Sequence, residues 1–333
     1  MQKITGIGNS LVDILARVSH DAVLEEMNLP KGSMQLIGSE ELALISRRMR
    51  SLEHTRASGG STANTIKALS HMGVETGFIG KIAQDEFGLF FNSELENADI
   101  RTALIRKQSG STGIASTFIS PDGQRTFATY LGVSAELNEK DITPELLEGY
   151  DILYVEGYLV QNHSMIEEAL RMAKDRGMTV CLDLASYNIV ENDRDFFHTL
   201  LSQYTDIVFA NEEEGRAFTG KSPEEAAREL ASLCQLAIVK CGSHGACVCS
   251  GSDFYSCPAE KVDNIVDTTG AGDYFAAGFL YAYIHNKSLE ECLHMGAFLA
   301  GTIIQVIGTT LPDSEWNRIR QAVGKKYVLP LTD

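Results

Sequence analysis

The sequence predicts an α/β fold: a doubly wound, mostly parallel sheet flanked by helices, with a small β-rich lid. Three observations lead to it. From Ile152 onward, strand-like apolar runs alternate regularly with helical patterns, as in successive βα units. Those runs are continuously apolar, which is what strands covered on both faces require. Two other stretches break the rhythm, and the second holds Pro121-Asp122-Gly123 between alternating runs, a hairpin signal. The expected organisation is a large domain of residues 1–13, 58–105 and 133–333, with a lid of residues 14–57 and 106–132.

In chain order, Lys3 to Gly8 reads as a strand ending in a glycine turn. Its Gly-x-Gly lacks the third glycine and the immediate helix of a dinucleotide fingerprint. Asp13 then falls just past the end of the first strand, where open α/β sheets bind ligands. A partner for sugar hydroxyls and a solvated loop carboxylate are both open to it. The first lid stretch reads as a helix near Asp21–Met27, a Pro30-Lys31-Gly32 turn, a strand at Met34–Ile37 and a helix at Ser39–Leu52.

Ser58-Gly59-Gly60-Ser61-Thr62-Ala63-Asn64 opens a helix that closes at Gly73, leaving bare backbone at a helix N-terminus. Asn64 sits in its first turn, where the amide offers a donor and an acceptor to adjacent hydroxyls. Phe78–Ile82 follows as a strand and Asp85–Asn97 as a helix. Arg125, just after the hairpin turn, either points into the cleft or stays exposed. Strands at Ile152–Val155, Thr179–Leu182, Ile207–Ala210 and Leu236–Lys240 then alternate with helices at Ser164–Arg176, Arg194–Gln203, Glu212–Phe218 and Pro223–Cys234. An antiparallel pair, Gly245–Cys249 with Phe254–Cys257, and helices at Ala271–His285, Leu289–Val306 and Asp313–Val323 complete the chain.

Composition narrows the partners. The 28 Lys and Arg stand against 45 Asp and Glu, a net charge of −17 that repels nucleic acid and anionic membrane. A small molecule is the expected partner, taken by a monomer or homodimer. The seven cysteines form an odd set within apolar runs, the pattern of free thiols in a reducing cytoplasm. No apolar run is long enough to span a bilayer as a helix.

Three motifs carry chemistry. In Asp267-Thr268-Thr269-Gly270-Ala271-Gly272-Asp273, small residues let backbone N–H groups approach an anion at a helix start. Asp273, in the first turn, stands where a base for an attacking hydroxyl is needed, although Asp is also an ordinary helix-capping residue. The nearby N–H groups and helix dipole are expected to keep it ionised. Asn211 and Glu214, three apart at a helix start, can face a hydrated Mg²⁺ or make a plain acidic N-terminus. Lys240-Cys241-Gly242-Ser243-His244-Gly245 is a glycine turn that either approaches a nucleotide or merely joins two strands.

Taken in order, these motifs resemble the ribokinase, or PfkB, family of ATP-dependent carbohydrate and nucleoside kinases, across essentially the whole chain. The resemblance implies a ribokinase-like fold, ATP and Mg²⁺ as cofactors, and a sugar or nucleoside as acceptor. It makes Asp273 the general base, with Gly270, Ala271 and Gly272 as the anion hole. It implies that Asn211, Lys240, Gly242, Gly245 and Thr269 bind ATP, that Asn211 and Glu214 hold Mg²⁺ through water, and that a monovalent cation has a place near Asp267 and Thr269. Asp13, Gly59, Gly60, Asn64 and Glu156 match substrate positions, Glu156 being similar to a ribose-contacting glutamate of ribokinases. Gly8-Asn9-Ser10-Leu11-Val12-Asp13, Ser61-Thr62 and Gly308-Thr309-Thr310-Leu311-Pro312 are closer to the adenosine-kinase-like branch. A non-catalytic regulator is the competing class, from which loss of Asp273 or the glycines would be expected.

Overall fold

A computed structural model describes residues 1–122 and 124–327; Gly123, at the tip of the expected hairpin, lies outside them. Along the chain, β1 (Ile4–Ile7), β2 (Leu11–Arg17), α1 (Ala22–Glu25), β3 (Met34–Leu36), α2 (Ser39–Arg50) and β4 (His54–Gly59) come first. They are followed by α3 (Ser61–His71), β5 (Thr76–Ala83), α4 (Glu86–Asn97), β6 (Ile100–Lys107) and the pair β7 (Gly113–Ile119) and β8 (Arg125–Tyr130). Next come β9 (Ile152–Glu156), α5 (His163–Asp175), β10 (Thr179–Asp183), α6 (Tyr187–Asn192), α7 (Arg194–Gln203), β11 (Ile207–Asn211), α8 (Glu212–Thr219) and α9 (Pro223–Leu230). The chain closes with β12 (Leu236–Lys240), β13 (Ala246–Ser250), β14 (Asp253–Cys257), α10 (Ala271–Ile284), α11 (Leu289–Ile303) and α12 (Asp313–Tyr327).

The large sheet has nine strands in the order β14-β13-β12-β11-β10-β9-β1-β5-β6. All its neighbours are parallel except the terminal β12–β13–β14 ribbon. The continuous apolar runs have the cause expected of them, because alternate residues enter two cores. In β9, Ile152 and Tyr154 face one, and Leu153 and Val155 the other; β11 divides Ile207 and Phe209 from Val208 and Ala210. The first core is closed by α3, α10, α11 and α12 through Ile66, Phe279, Leu293 and Trp316. The second is closed by α5, α7, α8 and α9 through Leu170, Phe197, Phe218 and Leu230.

A second, five-stranded sheet runs β3-β8-β7-β2-β4. It draws in more of the chain than the sequence shows, since β2 starts at Leu11 and β4 reaches Gly59. Asp13 is therefore not in a loop past the first strand. It lies inside β2, opposite Ala57 of β4 and Ala115 of β7. The run Leu11–Arg17 alternates, with Val12, Ile14 and Ala16 buried, and the apolar Leu11 and Leu15 on the other face hide that period-2 pattern. Strands β4 and β6 and helix α6 also go unread; β4 is mostly exposed and carries no apolar alternation.

Parallel strands place their C-terminal ends together, which brings the residues after β1, β9, β10, β11 and β12 to one edge. Helix α10 reaches that edge by packing closely on α11. A Cβ on Gly278 would stand 2.5 Å from Met295 O and 3.0 Å from Gly296 Cα. We predict that Gly278→Ala destabilises the fold by about 1–3 kcal/mol through overpacking. The check is the midpoint of denaturant unfolding, and an unmoved midpoint contradicts the close helix contact.

Candidate active site

The two glycine motifs meet at Asp273. Helices α3 and α10 begin side by side, and the carboxylate stands between their first turns. Ser61 Oγ donates to Asp273 Oδ1 at 2.7 Å, Asn64 Nδ2 donates to Oδ2 at 2.9 Å, and Thr65 Oγ1 donates to the Asp273 carbonyl at 3.2 Å. Gly60 (φ 95°) and Gly270 (φ 76°) precede the two helices in conformations that a Cβ would strain. With its amide nitrogen committed to Asp273, Asn64 keeps a buried Oδ1 with no partner. Asn64 is part of the wall of a cavity of about 320 Å³, and an unpartnered buried oxygen beside it calls for a donor.

The cavity brings together expected residues from both sheets. Asp13, Gly60 and Asn64 stand on its wall with Asn211, Glu214 and Lys240. So do Thr269, Gly272 and Asp273. The others take different places. Gly59 lies behind the wall, where a Cβ would fall 2.1 Å from Asp13 Oδ1, so its bareness makes room for that carboxylate. Gly242 and Gly245 form the turn after Lys240, outside the cavity lining. Ala271 donates its N–H to Thr268 O at 3.2 Å, and Tyr274 donates to Gly270 O at 2.9 Å. Between them in the first turn, Gly272 and Asp273 are the residues of this helix start that line the cavity.

Glu156 does not line the cavity. Its buried carboxylate accepts from the Asn9 N–H (2.9 Å), Asn9 Nδ2 (2.7 Å) and the Thr62 N–H (2.9 Å), tying the end of β1 to the start of α3. Three donors from the chain itself make it a positioning carboxylate beneath the site rather than a group free for substrate.

Burial decides the electrostatics. The Asp273 carboxyl is pushed up to about 7, chiefly because it is taken out of water; the Asn64 and Ser61 bonds oppose this, and Asp183 adds to it. The expectation that helix N–H groups keep Asp273 firmly ionised is thus corrected. Asp13 is also raised to about 7 by burial, against the pull of Lys67 and Arg125, and Glu214 to about 7 by burial and then Asp183. Lys240 donates to Asp183 Oδ2 at 2.9 Å. Burial pushes its ammonium down, but Asp183, Glu214 and Asp273 outweigh that and raise it.

Asn211 and Glu214 make a reciprocal helix cap. Asn211 Oδ1 accepts from the Glu213 and Glu214 N–H groups, while Glu214 accepts from the Asn211 N–H at 2.7 Å and its Nδ2 at 2.6 Å. Among the described residues no three His, Cys, Asp or Glu side chains gather closely enough to cage a metal directly. What the site offers is surplus carboxylate around one ammonium. That fits a hydrated Mg²⁺ arriving with phosphate oxygens, which need few protein ligands.

Three further side chains complete the site: Arg125, which the sequence leaves between cleft and solvent, and Tyr158 and Asp183, which it does not single out. Arg125 turns into the cleft: its Nη1 donates to Thr269 Oγ1 at 2.8 Å and its other Nη pairs with Asp267. Asp267 also accepts from the Thr269 N–H (2.9 Å) and the Gly308 N–H (2.6 Å). Tyr158, just after β9, stands between the main cavity and a second one of about 150 Å³, bounded by Leu131, Leu159, Met165, Ser134 and Gln161. Asp183 and Tyr158 belong to no motif, but the end of an apolar strand flags Asp183 as it flags Asn211.

Known proteins share this fold. Residues 33–317 match the pfkB family carbohydrate kinase domain. The adenosine kinase of Sinorhizobium meliloti is 33% identical with a TM-score of 0.88, covering 96% of this chain and 99% of that one. A probable sugar kinase of Rhizobium etli CFN 42 is 30% identical with a TM-score of 0.88, covering 98% and 99%. An ATP-dependent ribose-1-phosphate kinase of Halopiger xanaduensis is 29% identical over 251 residues, 74% of this chain and 81% of that one. With the ribokinase-like sheet, the cavity at its strand ends and a domain match spanning most of its length, the chain belongs to the pfkB family of carbohydrate kinases, phosphotransferases with an alcohol acceptor.

Proposed function

We propose that the chain transfers the γ-phosphoryl group of ATP to a hydroxymethyl oxygen of a sugar or ribonucleoside, with Asp273 as general base. The observation that supports this most is Asp273 itself: a carboxylate held by Ser61 and Asn64, raised to about 7, beside the bare start of α10. A base with that affinity takes a proton near neutral pH and returns it readily. Asp13 and the free Oδ1 of Asn64 hold the acceptor hydroxyls. The Gly272 and Asp273 N–H groups at the helix start receive the charge that develops on the phosphoryl oxygens.

Mg²⁺, when bound with ATP, neutralises phosphate charge and orients the phosphates. Asn211 and Glu214 are the residues placed to hold its water shell, and Lys240 adds a fixed positive charge beside them. Residues 14–57 and 106–132 act as the lid, with Arg125 as the lid side chain nearest the transfer site; excluding water prevents ATP hydrolysis. A nucleoside acceptor is the second reading, adenosine kinase proper included. It is favoured by Tyr158, an aromatic wall between the main cavity and an adjoining space lined by both apolar and amide or hydroxyl side chains. We place the enzyme in the cytoplasm on the strength of its free thiols; no described helix is long and apolar enough to cross a membrane.

Asp273→Asn keeps the shape of the base and removes its basicity. The expected result is a fall in kcat of roughly 10²–10⁴-fold at near-constant ATP affinity. The wild-type kcat/KM should fall as pH drops through about 7 and Asp273 becomes protonated. Near-normal turnover of the variant would leave Asp273 a helix-start residue only.

Acceptor recognition should rest on Asp13. Asp13→Ala should lower kcat/KM for the acceptor by roughly 5- to 150-fold, the equivalent of about 1–3 kcal/mol for a buried group left unpaired. The ATP dissociation constant should move little, and equal loss for both ligands would make Asp13 structural.

Glu214→Gln retains the acceptor for the Asn211 N–H while removing the charge. It should raise the Mg²⁺ concentration for half-maximal activity with the unfolding midpoint held. An unchanged magnesium titration would rule Glu214 out of the metal's surroundings.

A further inference from the structure

Cys241 and Cys247 come together on the β12–β13 ribbon, outside the machinery described above. Cys247 is the register partner of Val239, two residues before Cys241. The ladder continues past β12, since the Cys241 N–H donates to Gly245 O at 2.7 Å. The two cysteines are thus diagonal neighbours on one face. Both sulfurs converge on Val239: Cys241 Sγ lies 3.6 Å from Val239 O, and the Cys247 thiol contacts the Val239 backbone and Cys241. Neither is in a disulfide; Cys241 is partly exposed and Cys247 buried.

The contact separates their roles. Cys247 Sγ donates weakly to Pro223 O at 3.9 Å, while its contact with Cys241 holds the Cys241 thiol below the usual range and, with burial, pushes Cys247 up. Cys241 is therefore both the more accessible sulfur and the one that ionises first, the two properties that make a thiol react with peroxide.

We propose that Cys241 and Cys247 are a reversible oxidation site that closes to a disulfide with a peroxide as oxidant, pinning the Gly242–His244 turn. The Cys241 thiolate attacks one peroxide oxygen, the O–O bond breaks, and the departing hydroxide takes a proton to leave as water. Cys241 is now a sulfenic acid, and the thiolate that raised Cys247 is gone. The Cys247 sulfur attacks Cys241, its proton leaves with the displaced hydroxyl as a second water, and the S–S bond forms. Two thiols are oxidised by two electrons, and one peroxide is reduced to two waters. The bond ties the two ends of a turn whose Gly242 (φ 52°) and Gly245 (φ 97°) otherwise give it freedom. It also anchors the residue following Lys240, which lines the cavity. Its consequence for ATP rests on the nucleotide role that the family resemblance implies for Gly242 and Gly245.

The test uses the full chain, treated with hydrogen peroxide, blocked with an alkylating agent and digested with trypsin. Loss of two hydrogens should appear in the peptide 241–261, with no fragment ions between residues 241 and 247, and dithiothreitol should reverse it. Cys247→Ser should abolish the link and leave Cys241 as an alkylatable or further oxidised thiol, with the unfolding midpoint showing that the variant folds. A link between other cysteines, or the same mass loss in Cys247→Ser, overturns the assignment. The apparent KM for ATP should change several-fold in the oxidised chain and return on reduction. A 241–247 link with an unmoved KM would uphold the thiol pair and overturn the nucleotide role of the turn, so the two failures are distinguishable.

Discussion

The site depends on one carboxylate held between two helix starts. Asp273 belongs to α10, and its partners Ser61 and Asn64 belong to α3. Each helix alone would leave its first N–H groups open to water. Packed together, they make a pocket that removes Asp273 from solvent while leaving one edge open to the cavity. The close seat of α10 on α11 at Gly278 and the Glu156 bonds beneath α3 fix the two ends of that arrangement. Neither Gly278 nor Glu156 lines the cavity, yet both determine where Asp273 stands.

The same burial loads the cavity with unbalanced acid. Asp13, Glu214 and Asp273 are each raised to about 7 by loss of water, with Lys240 and Arg125 as the positive charges on the wall. An ion that brings its own positive charge relieves this, whereas a bare phosphate chain would worsen it. In the proposed reaction ATP and Mg²⁺ therefore arrive as a unit. A chain of net charge −17 takes a polyanion by that route in spite of its own charge.

The sequence made the parallel half legible because β9 to β12 bury both faces, so their interior positions are apolar up to the polar residue that ends each strand. The glycine starts of α3 and α10 were legible for a similar reason: bare backbone at a helix N-terminus has few other uses. Asp13 was misplaced because a half-exposed strand shows only a period of two, and Leu11 and Leu15 on its less buried face blur even that. The direction of Arg125 depends on Asp267, far along the chain, and no local pattern encodes such a partner. The elevation of Asp273 was missed for a related reason. Helix dipoles are read from the helix that carries the residue, but burial is set by the neighbour that covers it.

Arg125 joins the two sheets' contributions into one constraint. It rises from β8 of the smaller sheet and meets Asp267 and Thr269, the start of the loop that ends at Asp273. Asp267 in turn receives the Thr269 and Gly308 N–H groups, so one carboxylate organises the approach to α10 from three directions. The pair is largely out of water, with side-chain exposures of 12% and 1%. Separating it would leave two charges to be solvated again, which costs far more than parting an exposed pair. The smaller sheet is thus tied to the start of α10. In the proposed reaction, any movement that takes Arg125 from Asp267 toward a phosphoryl group exchanges one anion for another, and the shape of the anion cradle and the position of the lid change together.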